Sequence, residues 1–405
     1  MKPGDAAQVL DAVRWAAAEE QPLELVGAAS KRGLGRPVQA THTLDLSALS
    51  GITLYEPEEL VLSARAGTPL AEIEAALAER RQQLAFEPAD WGPLLGAPAG
   101  SQTIGGVLAC NLSGPRRIKS GAARDHFLGF QAVSGRGEPF KAGGRVVKNV
   151  TGYDLPKLMA GSYGTLVAMT EVTVKVLPAP ERTRTLMLRG LDPAGGVACL
   201  THALQSPYEV AGAAFLPADV AGDVAEACGA EAGASATVIR LEGFGPSIEY
   251  RAGRLVEELR GRGEAVPLDD DASAGLWAAI RDVRPFVADA HRIVWRISVP
   301  ATDGPRVAAA VAAGLDARWF LDWGGGLLWV AVAPERAADG GAAVVRGALS
   351  QSGGHATLIR APETVRASVE VFQPQPAALA TLSSRVKLGF DPKRIFNPGR
   401  MYAGV

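Results

Sequence analysis

Residues 101–129 read SQTIGGVLACNLSGPRRIKSGAARDHFLG, a run in which glycines and other small residues alternate with clusters of basic residues. The surrounding segment 97–180 holds ten lysines and arginines against four acidic residues, although the whole chain has a net charge of −2. Glycine-dense backbone beside cations is typical of loops whose N–H groups cradle an anion. A basic, loop-rich surface without a ligand explains the same composition, so the segment alone leaves both interpretations open.

The composition of the whole chain narrows the class of protein. Its 405 residues, 47% hydrophobic and 21% charged, predict a soluble globular protein of two or three domains. The near balance of basic and acidic residues and the 6% aromatic content argue against a dedicated nucleic-acid binder. No apolar run approaches the ~18–20 residues of a membrane span, and the N-terminus does not resemble a secretory leader. We therefore expect a cytoplasmic protein, which leaves peripheral association with the inner face of the membrane open.

Cysteine usage limits the redox centres that this chain can build. Cys110, Cys199 and Cys228 lie far apart and form no Cys-x-x-Cys pair. An iron–sulfur cluster or a cysteine-based zinc site needs more thiolates at closer spacing. The five histidines show no ligand spacing either, so we expect no metal site.

The sequence pattern divides the chain at Pro178-Ala179-Pro180, where an alternating strand over 168–177 ends. In the first part we expect a helix from Asp5 to about Glu20, a strand over Leu23–Val26 and a small-residue loop over 27–36. Thr68 and Pro69 read as the N-cap and first residue of a further helix. The second part is predicted to be an α+β domain, with strands over 293–299 and 327–332 and helices over 247–260 and 307–315.

Two common nucleotide-binding motifs are missing. Gly33-Leu34-Gly35-Arg36-Pro37 lacks the third glycine of a dinucleotide fingerprint, and its proline disfavours the helix that should follow. No Walker A sequence occurs anywhere in the chain. A Rossmann or P-loop site is therefore not expected.

Six dispersed segments are more informative together and in this order than any one of them alone. They are Gly27–Lys31, SQTIGG (101–106) with LSGPRR (112–117), SGAARDHFLG (120–129), KNVTGYDL (148–155), GSYGTLV (161–167) and DPKRIFNPGRMY (391–402). The set resembles the FAD-binding domain of the vanillyl-alcohol oxidase / p-cresol methylhydroxylase (PCMH) family. Within that family it is similar to the smaller FAD-binding subunits of bacterial glycolate oxidases.

The resemblance implies an α+β fold: a PCMH-type FAD-binding domain of two subdomains, plus an α+β cap domain. It places the FAD-binding domain at 1–180, the tail 385–405 packed back onto it, and the cap or substrate-side domain at 181–384. It implies FAD-binding roles for Gly27, Ala28, Ala29, Ser30, Lys31, Thr103, Ile104, Gly105, Gly106, Ser113, Arg117, Gly121, Asp125, Gly164, Thr165, Leu166, Val167 and Asn397. The first loop has Ala28 and Ala29 where the family commonly has more glycine, which either weakens FAD binding or means that the loop uses negative φ angles. No histidine occupies that loop and Cys110 looks packed in a helix, so we expect FAD to be bound non-covalently.

The implied activity is oxidation of glycolate or a related small 2-hydroxy acid. The resemblance implies two partners, a larger FAD-binding catalytic subunit and an iron–sulfur subunit. This chain would pass electrons from its flavin to the iron–sulfur subunit. A self-sufficient FAD-dependent oxidoreductase acting on a 2-hydroxy acid or alcohol is the alternative. For substrate contacts within this chain, Arg296 is a candidate carboxylate clamp and His291 a candidate base, although a packed pair in the second domain explains both.

Overall fold

The computed structural model describes residues 1–145, 152–225 and 233–405, and its chain forms two compact units. The first unit comprises Met1–Ser113, Gly121–Pro178 and Glu370–Val405, and the second comprises Gly114–Ser120 and Ala179–Val369. The chain passes from the first unit to the second at the proline-rich break seen in the sequence. The short segment 114–120, expected within the FAD-binding domain, instead belongs to the second unit.

Both units contain strands and α-helices. The strands are β1 (Leu23–Val26), β2 (His42–Asp45), β3 (Ile52–Glu56), β4 (Val61–Arg65), β5 (Gln82–Gln83), β6 (Phe127–Ser134), β7 (Pro139–Gly143), β8 (Val167–Lys175), β9 (Leu177–Pro178), β10 (Arg182–Arg189), β11 (Val210–Leu216), β12 (Ala236–Gly243), β13 (Ala265–Leu268), β14 (Ile293–Ser298), β15 (Ala317–Asp322), β16 (Leu327–Val332) and β17 (His355–Arg360). The α-helices are Ala6–Ala18, Leu70–Glu79, Ile104–Ala109, Arg117–Ser120, Ala123–His126, Leu155–Met159, Pro193–Gln205, Ala218–Asp223, Gly245–Glu258, Asp270–Arg281, Gly304–Gly314, Ala342–Ala348, Glu363–Ser368 and Ala377–Phe390.

The first unit is built on an antiparallel sheet of order β3-β4-β8-β6-β7 and a parallel pair, β1 and β2. β8 occupies the centre of the five-stranded sheet and is buried along most of its length, and the strand-favouring Val172 and Val174 lie within it. The helix Ala6–Ala18 buries Val9 and Val13 in the same core as Leu23 of β1 and Leu44 of β2. Asp5 caps this helix by accepting a hydrogen bond from the Gln8 backbone N–H, as the sequence predicts.

The C-terminal segment returns to this core and joins β1. Phe396 is fully buried and forms a parallel bridge with Leu23, whose N–H donates to the Ile395 carbonyl at 2.7 Å. The ammonium of Lys387 is completely buried and donates to Asp391 Oδ2 (2.7 Å) and to the carbonyls of Thr165 (2.6 Å) and Phe396 (2.9 Å). One buried ion pair therefore ties the tail to the turn that precedes β8.

The second unit is an eight-stranded antiparallel sheet of order β13-β10-β12-β11-β15-β16-β14-β17. Its strands β11 and β16 are buried at every position, so helices or loops cover both of their faces. The two largest fully buried side chains are Trp277 and Trp295, whose indole N–H groups donate to Thr185 Oγ1 and the Gly340 carbonyl. Both units thus combine helices with antiparallel sheets, to which the first unit adds the parallel pair β1 and β2, and the α+β prediction is confirmed.

One local prediction was wrong. Thr68 does not cap the helix that follows it, because its hydroxyl donates to the carbonyls of Arg65 and Gly51. That helix runs over Leu70–Glu79, with Pro69 at the N-cap position and no side-chain cap. Thr68 instead closes the turn after β4.

Candidate FAD-binding site

A cleft of about 730 Å³, measured out to its open mouth, lies within the first unit. Its walls come from the end of β1 and the loop after it, the start of the helix Ile104–Ala109, the turn before β8 and the C-terminal segment. The lining residues are Leu25, Val26, Gly27, Ala28, Ala29, Ser30, Lys31, Arg32, Leu46, Ala66, Thr103, Gly105, Gly106, Ala109, Cys110, Tyr163, Gly164, Val167, Met169 and Arg400. The cleft therefore joins six separate segments of the sequence, since Leu46 and Ala66 also line it.

The loop after β1 approaches the helix Ile104–Ala109 so closely that only glycine fits at Gly27. A Cβ atom there would lie 2.4 Å from Thr103 Oγ1. Thr103 is itself the N-cap of that helix and accepts a hydrogen bond from the Gly106 N–H at 3.3 Å. Gly105 is equally restricted, since a Cβ would lie 2.7 Å from the Ala66 carbonyl oxygen. These contacts mean that small residues line this side of the cleft.

Ala29 has a φ of +57°, in the left-handed region that disfavours a Cβ atom. Of the two alternatives for the alanine-containing loop, use of negative φ throughout is therefore wrong. The N–H groups of the loop are arranged as a glycine would arrange them, at a cost of about 1 kcal/mol in backbone strain.

Replacing Ala29 by glycine removes that strain, and we expect the substitution Ala29→Gly to leave stability unchanged or raise it by up to about 1 kcal/mol. The matched change Ala28→Gly, at a neighbour without positive φ, is expected to lower stability by about 0.5–1 kcal/mol because it only adds freedom to the unfolded chain. Denaturant unfolding of the two variants measures the difference. Equal loss of stability in both variants would contradict the left-handed conformation at Ala29.

Two buried cations lie in the wall of the cleft. Lys31 as a residue is 9% exposed, its ammonium donates to Gln102 Oε1 at 3.1 Å, and burial lowers its pKa. Arg400 is 6% exposed, burial lowers its pKa, and its guanidinium donates to the Lys31 carbonyl at 3.2 Å and the Arg32 carbonyl at 3.4 Å. Burying two cations in one wall is unfavourable unless an anion compensates them, so this wall suits a phosphate-bearing ligand.

The third cation in the wall, Arg32, has a carboxylate partner within the protein. Its guanidinium binds Glu24 through two nitrogens, and this hydrogen bonding is the main reason that the pKa of Glu24 is lowered. Arg32 is also the most exposed of the three, at 57% of its side chain. Lys31 and Arg400 therefore carry the positive potential of the cleft.

Asn397 holds two walls of the cleft together, although it does not line the cleft itself. Its Oδ1 accepts from the Leu25 N–H at 2.9 Å, and its Nδ2 donates to the carbonyls of Tyr163 (2.9 Å) and Gly164 (3.3 Å). Gly164 has a φ of +70°, and a Cβ there would lie 2.8 Å from Asn397 Nδ2. The tail thus fixes the position of β1 against the turn before β8.

The structure brings ten of the residues expected to bind FAD to the cleft. They are Gly27, Ala28, Ala29, Ser30, Lys31, Thr103, Gly105, Gly106, Gly164 and Val167. Ile104, Leu166 and Thr165 are buried next to the lining residues. Ser113 Oγ accepts from the Ala123 N–H, while Asp125 Oδ2 accepts from the Ala122 N–H beside Gly121 at φ +86°. These last residues shape the start of the helix Ala123–His126, and their role toward FAD stays a prediction.

Arg117 lies in the second unit, within a cluster of cations around Trp323. Its guanidinium carbon lies 4.2 Å from the centre of the Trp323 ring, and that of Arg296 lies 4.9 Å from it. Burial and these two arginines lower the pKa of His355. Trp323 has a positive φ of 52°, a strained conformation of the kind often found at functional sites. His291 is exposed and lies two residues before β14 begins, so its role toward substrate stays a prediction.

Sequence reasoning missed Arg400, Cys110, Tyr163 and Met169 as lining residues. Arg400 could have been predicted, because it lies in the motif DPKRIFNPGRMY (391–402). Cys110 and Met169 carry no signal in the sequence, since only folding brings the end of one helix and the middle of β8 to the same cleft. The segment KNVTGYDL falls partly outside the described residues, which omit 146–151.

Cys110 provides a chemical probe of the cleft. Burial raises the pKa of its thiol against the opposing charges of Lys31 and Arg400, so we expect slow alkylation by iodoacetamide at neutral pH and faster alkylation as the pH rises. FAD at ten times its Kd is expected to slow that reaction about tenfold. Peptide mass mapping measures it, with the buried Cys199 of the second unit as the FAD-insensitive control. Equal rates with and without FAD would place the cofactor elsewhere.

Across residues 1–145, 152–225 and 233–405, no group of three or more His, Cys, Asp or Glu side chains is placed to hold a metal ion. In the same part of the chain, none of the helices combines the length and apolarity needed to span a membrane.

Comparison with known proteins identifies the family and the fold of this chain. Residues 1–143 match the family model described as an FAD binding domain. Among solved structures, 4-ethylphenol oxidase from Gulosibacter chungangensis superimposes with a TM-score of 0.74 over 100% of this chain and 89% of that chain, at 14% identity. The fold and the site therefore define a PCMH-type flavoprotein with FAD as its cofactor.

The curated relatives place the chain more narrowly. It is 34% identical to the glycolate oxidase subunit GlcE of Escherichia coli over 395 residues, which cover 98% of this chain and 97% of that protein. It is 33% identical to a D-2-hydroxyglutarate dehydrogenase of Xanthomonas citri over 189 residues, or 46% of this chain and 38% of the relative. The chain belongs to the glycolate oxidase subunit GlcE family.

Proposed function

We propose that the chain is the FAD-binding subunit of an enzyme complex that oxidises glycolate or a similar 2-hydroxy acid, with FAD held in the cleft of the first unit. The observation that carries the proposal is the wall formed by Lys31 and Arg400, two buried cations next to glycines that admit no Cβ atom. The diphosphate of FAD is a dianion that such a wall would neutralise. The relatives named above support the choice of a 2-hydroxy acid.

In this arrangement, Lys31 and Arg400 would bind the diphosphate together with the N–H groups of the loop after β1. Gly164 and Val167, beside Leu25, would lie against the remainder of the cofactor in the apolar part of the cleft. FAD, when bound, accepts the two electrons and the proton equivalents released when a 2-hydroxy acid becomes a 2-oxo acid. The chain's own residues would bind and orient the cofactor.

The cluster around Trp323 is our candidate for the substrate's carboxylate. Arg296, the clamp suggested by the sequence, shares the Trp323 ring with Arg117, and both lower the pKa of His355. Guanidinium groups bind carboxylates through paired, charge-assisted hydrogen bonds. His355 replaces His291 as the histidine near Arg296, since β17 pairs with β14 and places His355 opposite Ser298.

The partners that we propose are a larger FAD-binding catalytic subunit and an iron–sulfur subunit, to which the electrons pass. Three cysteines, with no Cys-x-x-Cys pair, leave this chain without the ligands for a cluster of its own, which supports a separate electron carrier. We further propose a cytoplasmic complex that contacts the inner face of the membrane only peripherally.

The visible absorption spectrum of the purified chain tests the cofactor assignment. We expect a flavin spectrum, or its appearance after incubation with FAD, and release of the flavin into the supernatant on acid precipitation. A chain that stays colourless after reconstitution would overturn FAD binding, and flavin retained in the precipitate would show a covalent bond.

Anaerobic addition of glycolate separates the two functional alternatives. Prompt bleaching of the flavin by the isolated chain supports a self-sufficient enzyme, and bleaching only with the partner subunits supports a subunit that relays electrons.

If bleaching occurs, Arg296→Met is expected to raise KM for glycolate at least about tenfold, since it removes one charge-assisted hydrogen bond. An unchanged KM would remove Arg296 from the substrate site.

A further inference from the structure

The segment Gly114–Ser120 belongs to the second unit, although Ser113 before it and Gly121 after it belong to the first. It contains the helix Arg117–Ser120, which has four residues, none of them buried. Three of the four residues from 116 to 119 are cations. A helix this short with like charges so close together has little stability of its own, so its contacts with the rest of the second unit set its position.

One of these contacts joins Arg116 to Glu242 at the end of β12. The Nε of Arg116 donates to Glu242 Oε2 at 2.8 Å and its Nη2 donates to Oε1 at 2.9 Å, while the two side chains are only 17% and 10% exposed. Glu242 is itself held, since Arg240 Nε lies 3.6 Å from its carboxylate and Arg251 donates to its carbonyl at 2.9 Å. Paired bonds of this kind fix the orientation of a guanidinium as well as its position.

Two further contacts hold the ends of the segment. The indole N–H of Trp323 donates to the Gly114 carbonyl at 3.2 Å and fixes the start. Lys119 pairs with Glu209 near the end, but these side chains are 47% and 63% exposed, and so open an ion pair contributes little. The middle of the segment therefore depends on the pair formed by Arg116 and Glu242.

The residue that follows Arg116 belongs to the cluster around Trp323. Arg117 is an exposed residue, and its guanidinium lies over the ring of Trp323, which is itself buried. A cation–π contact is weak at an exposed site, and holding a long side chain in one conformation costs entropy. The place of Arg117 over the ring therefore depends on how firmly the backbone beside it is held, which is the effect of the contact between Arg116 and Glu242.

We propose that Glu242 is a positioning residue for the substrate. By holding Arg116, it keeps Arg117 where it can bind, together with Arg296, the carboxylate of a small 2-hydroxy acid. The carboxylate as the ligand rests on the proposed function, whereas the fixed position of Arg117 does not. Glu242 acts through Arg116 and needs no contact with the substrate.

The sign of the effect separates positioning from simple electrostatics. Glu242→Gln removes a negative charge near a group of cations, so a purely electrostatic effect would tighten the binding of an anion. Loss of position has the opposite effect, because a displaced Arg117 no longer forms well-aligned hydrogen bonds with a carboxylate. Arg116→Lys keeps the positive charge but loses the planar fork that binds Glu242, so it is expected to weaken anion binding as well.

Calorimetric titration of the full-length chain, in the presence of FAD, with oxalate tests the proposal. Oxalate is a carboxylate close to glycolate in size and has no C–H bond to oxidise. We expect Arg117→Met to raise the Kd for oxalate about tenfold, since it removes a charge-assisted hydrogen bond. Glu242→Gln and Arg116→Lys are each expected to raise it about three- to tenfold. In the Arg117→Met background, Glu242→Gln should cause no further weakening, because its effect passes through Arg117.

Glu249→Gln is the matched control. It makes the same chemical change in the same unit and removes the carboxylate that accepts from Arg184 at 2.9 Å, outside the segment Gly114–Ser120. Because Glu249 is 60% exposed, we expect this variant to change the Kd for oxalate less than about twofold. Thermal unfolding of each variant shows whether the fold is retained.

Unchanged or tighter binding by Glu242→Gln, with weaker binding by Arg117→Met, would overturn the positioning role and leave the proposed carboxylate site in place. Weakening by Glu242→Gln that persists in the Arg117→Met background would also overturn it, since Glu242 would then act on the fold and not on Arg117. A wild-type chain that does not bind oxalate, or an Arg117→Met variant with wild-type affinity, would overturn the carboxylate site and the positioning role together.

Discussion

Substituting methionine for Lys31 is expected to weaken FAD binding about 10- to 100-fold. The side chain keeps its length, but the diphosphate loses one buried charge-assisted hydrogen bond, worth about 1.5–3 kcal/mol. Because burial lowers the pKa of Lys31, the affinity of the wild-type chain should also fall as the pH rises through that lowered pKa. The variant is expected to lose this pH dependence. Titration of the apoprotein with FAD, followed by flavin fluorescence at several pH values, measures both effects.

Lys141→Met is the matched control for Lys31→Met. Lys141 is exposed on β7, in the same unit, and does not line the cleft. Its loss should change the Kd for FAD by less than about twofold, because an exposed charge is largely screened. Similar effects of the two substitutions would mean that net charge, rather than the wall of the cleft, governs FAD binding.

Removing the buried ammonium of Lys387 is expected to cost about 3–5 kcal/mol of the free energy of unfolding of the first unit. Lys387→Met leaves the Asp391 carboxylate fully buried without its cation and frees the carbonyls of Thr165 and Phe396. The contact it breaks also holds the tail that carries Asn397 and Arg400. We therefore expect FAD affinity to fall together with stability, measured by denaturant unfolding with and without FAD.

Two further variants show whether the loss of stability comes from breaking the buried pair of Lys387 and Asp391 or from removing any lysine. Lys393→Met removes an exposed ammonium 3.1 Å from Glu20 and is expected to cost less than about 1 kcal/mol. Lys387→Met/Asp391→Asn also removes the unpaired, buried carboxylate charge at position 391 and should be more stable than Lys387→Met alone. If the double variant is the less stable of the two, the pair does not act through burial of charge.

Much of the local structure follows from the sequence because short-range rules decide it. The cap at Asp5, the strand Leu23–Val26 and the break at Pro178 depend on neighbouring residues, and each lies where the sequence predicts it. Thr68 illustrates the limit of such rules. Its hydroxyl could have capped the helix Leu70–Glu79 or closed the turn after β4. It donates to the carbonyls of Gly51 and Arg65 and so closes the turn.

Part of the candidate site also follows from the sequence, at the glycines that line the cleft. Gly27, Gly105 and Gly164 were expected at the cofactor, and each lies where a Cβ atom would collide with a neighbour. The strain at Ala29 was not predictable, because either sign of φ is compatible with the local sequence. Arg117 belongs to the second unit and lies beside Trp323, and its role toward FAD stays a prediction.

The sequence by itself determined the α+β class, the family and the basic, glycine-dense character of the segment around residues 101–129, since these depend on composition and on motifs in their order. Only the tertiary structure decided which charges act together. Lys31 and Arg400 are separated by more than 360 residues and meet because the tail pairs with β1 through Phe396. Long-range pairing of this kind is fixed by the packing of the whole core, which no local pattern encodes.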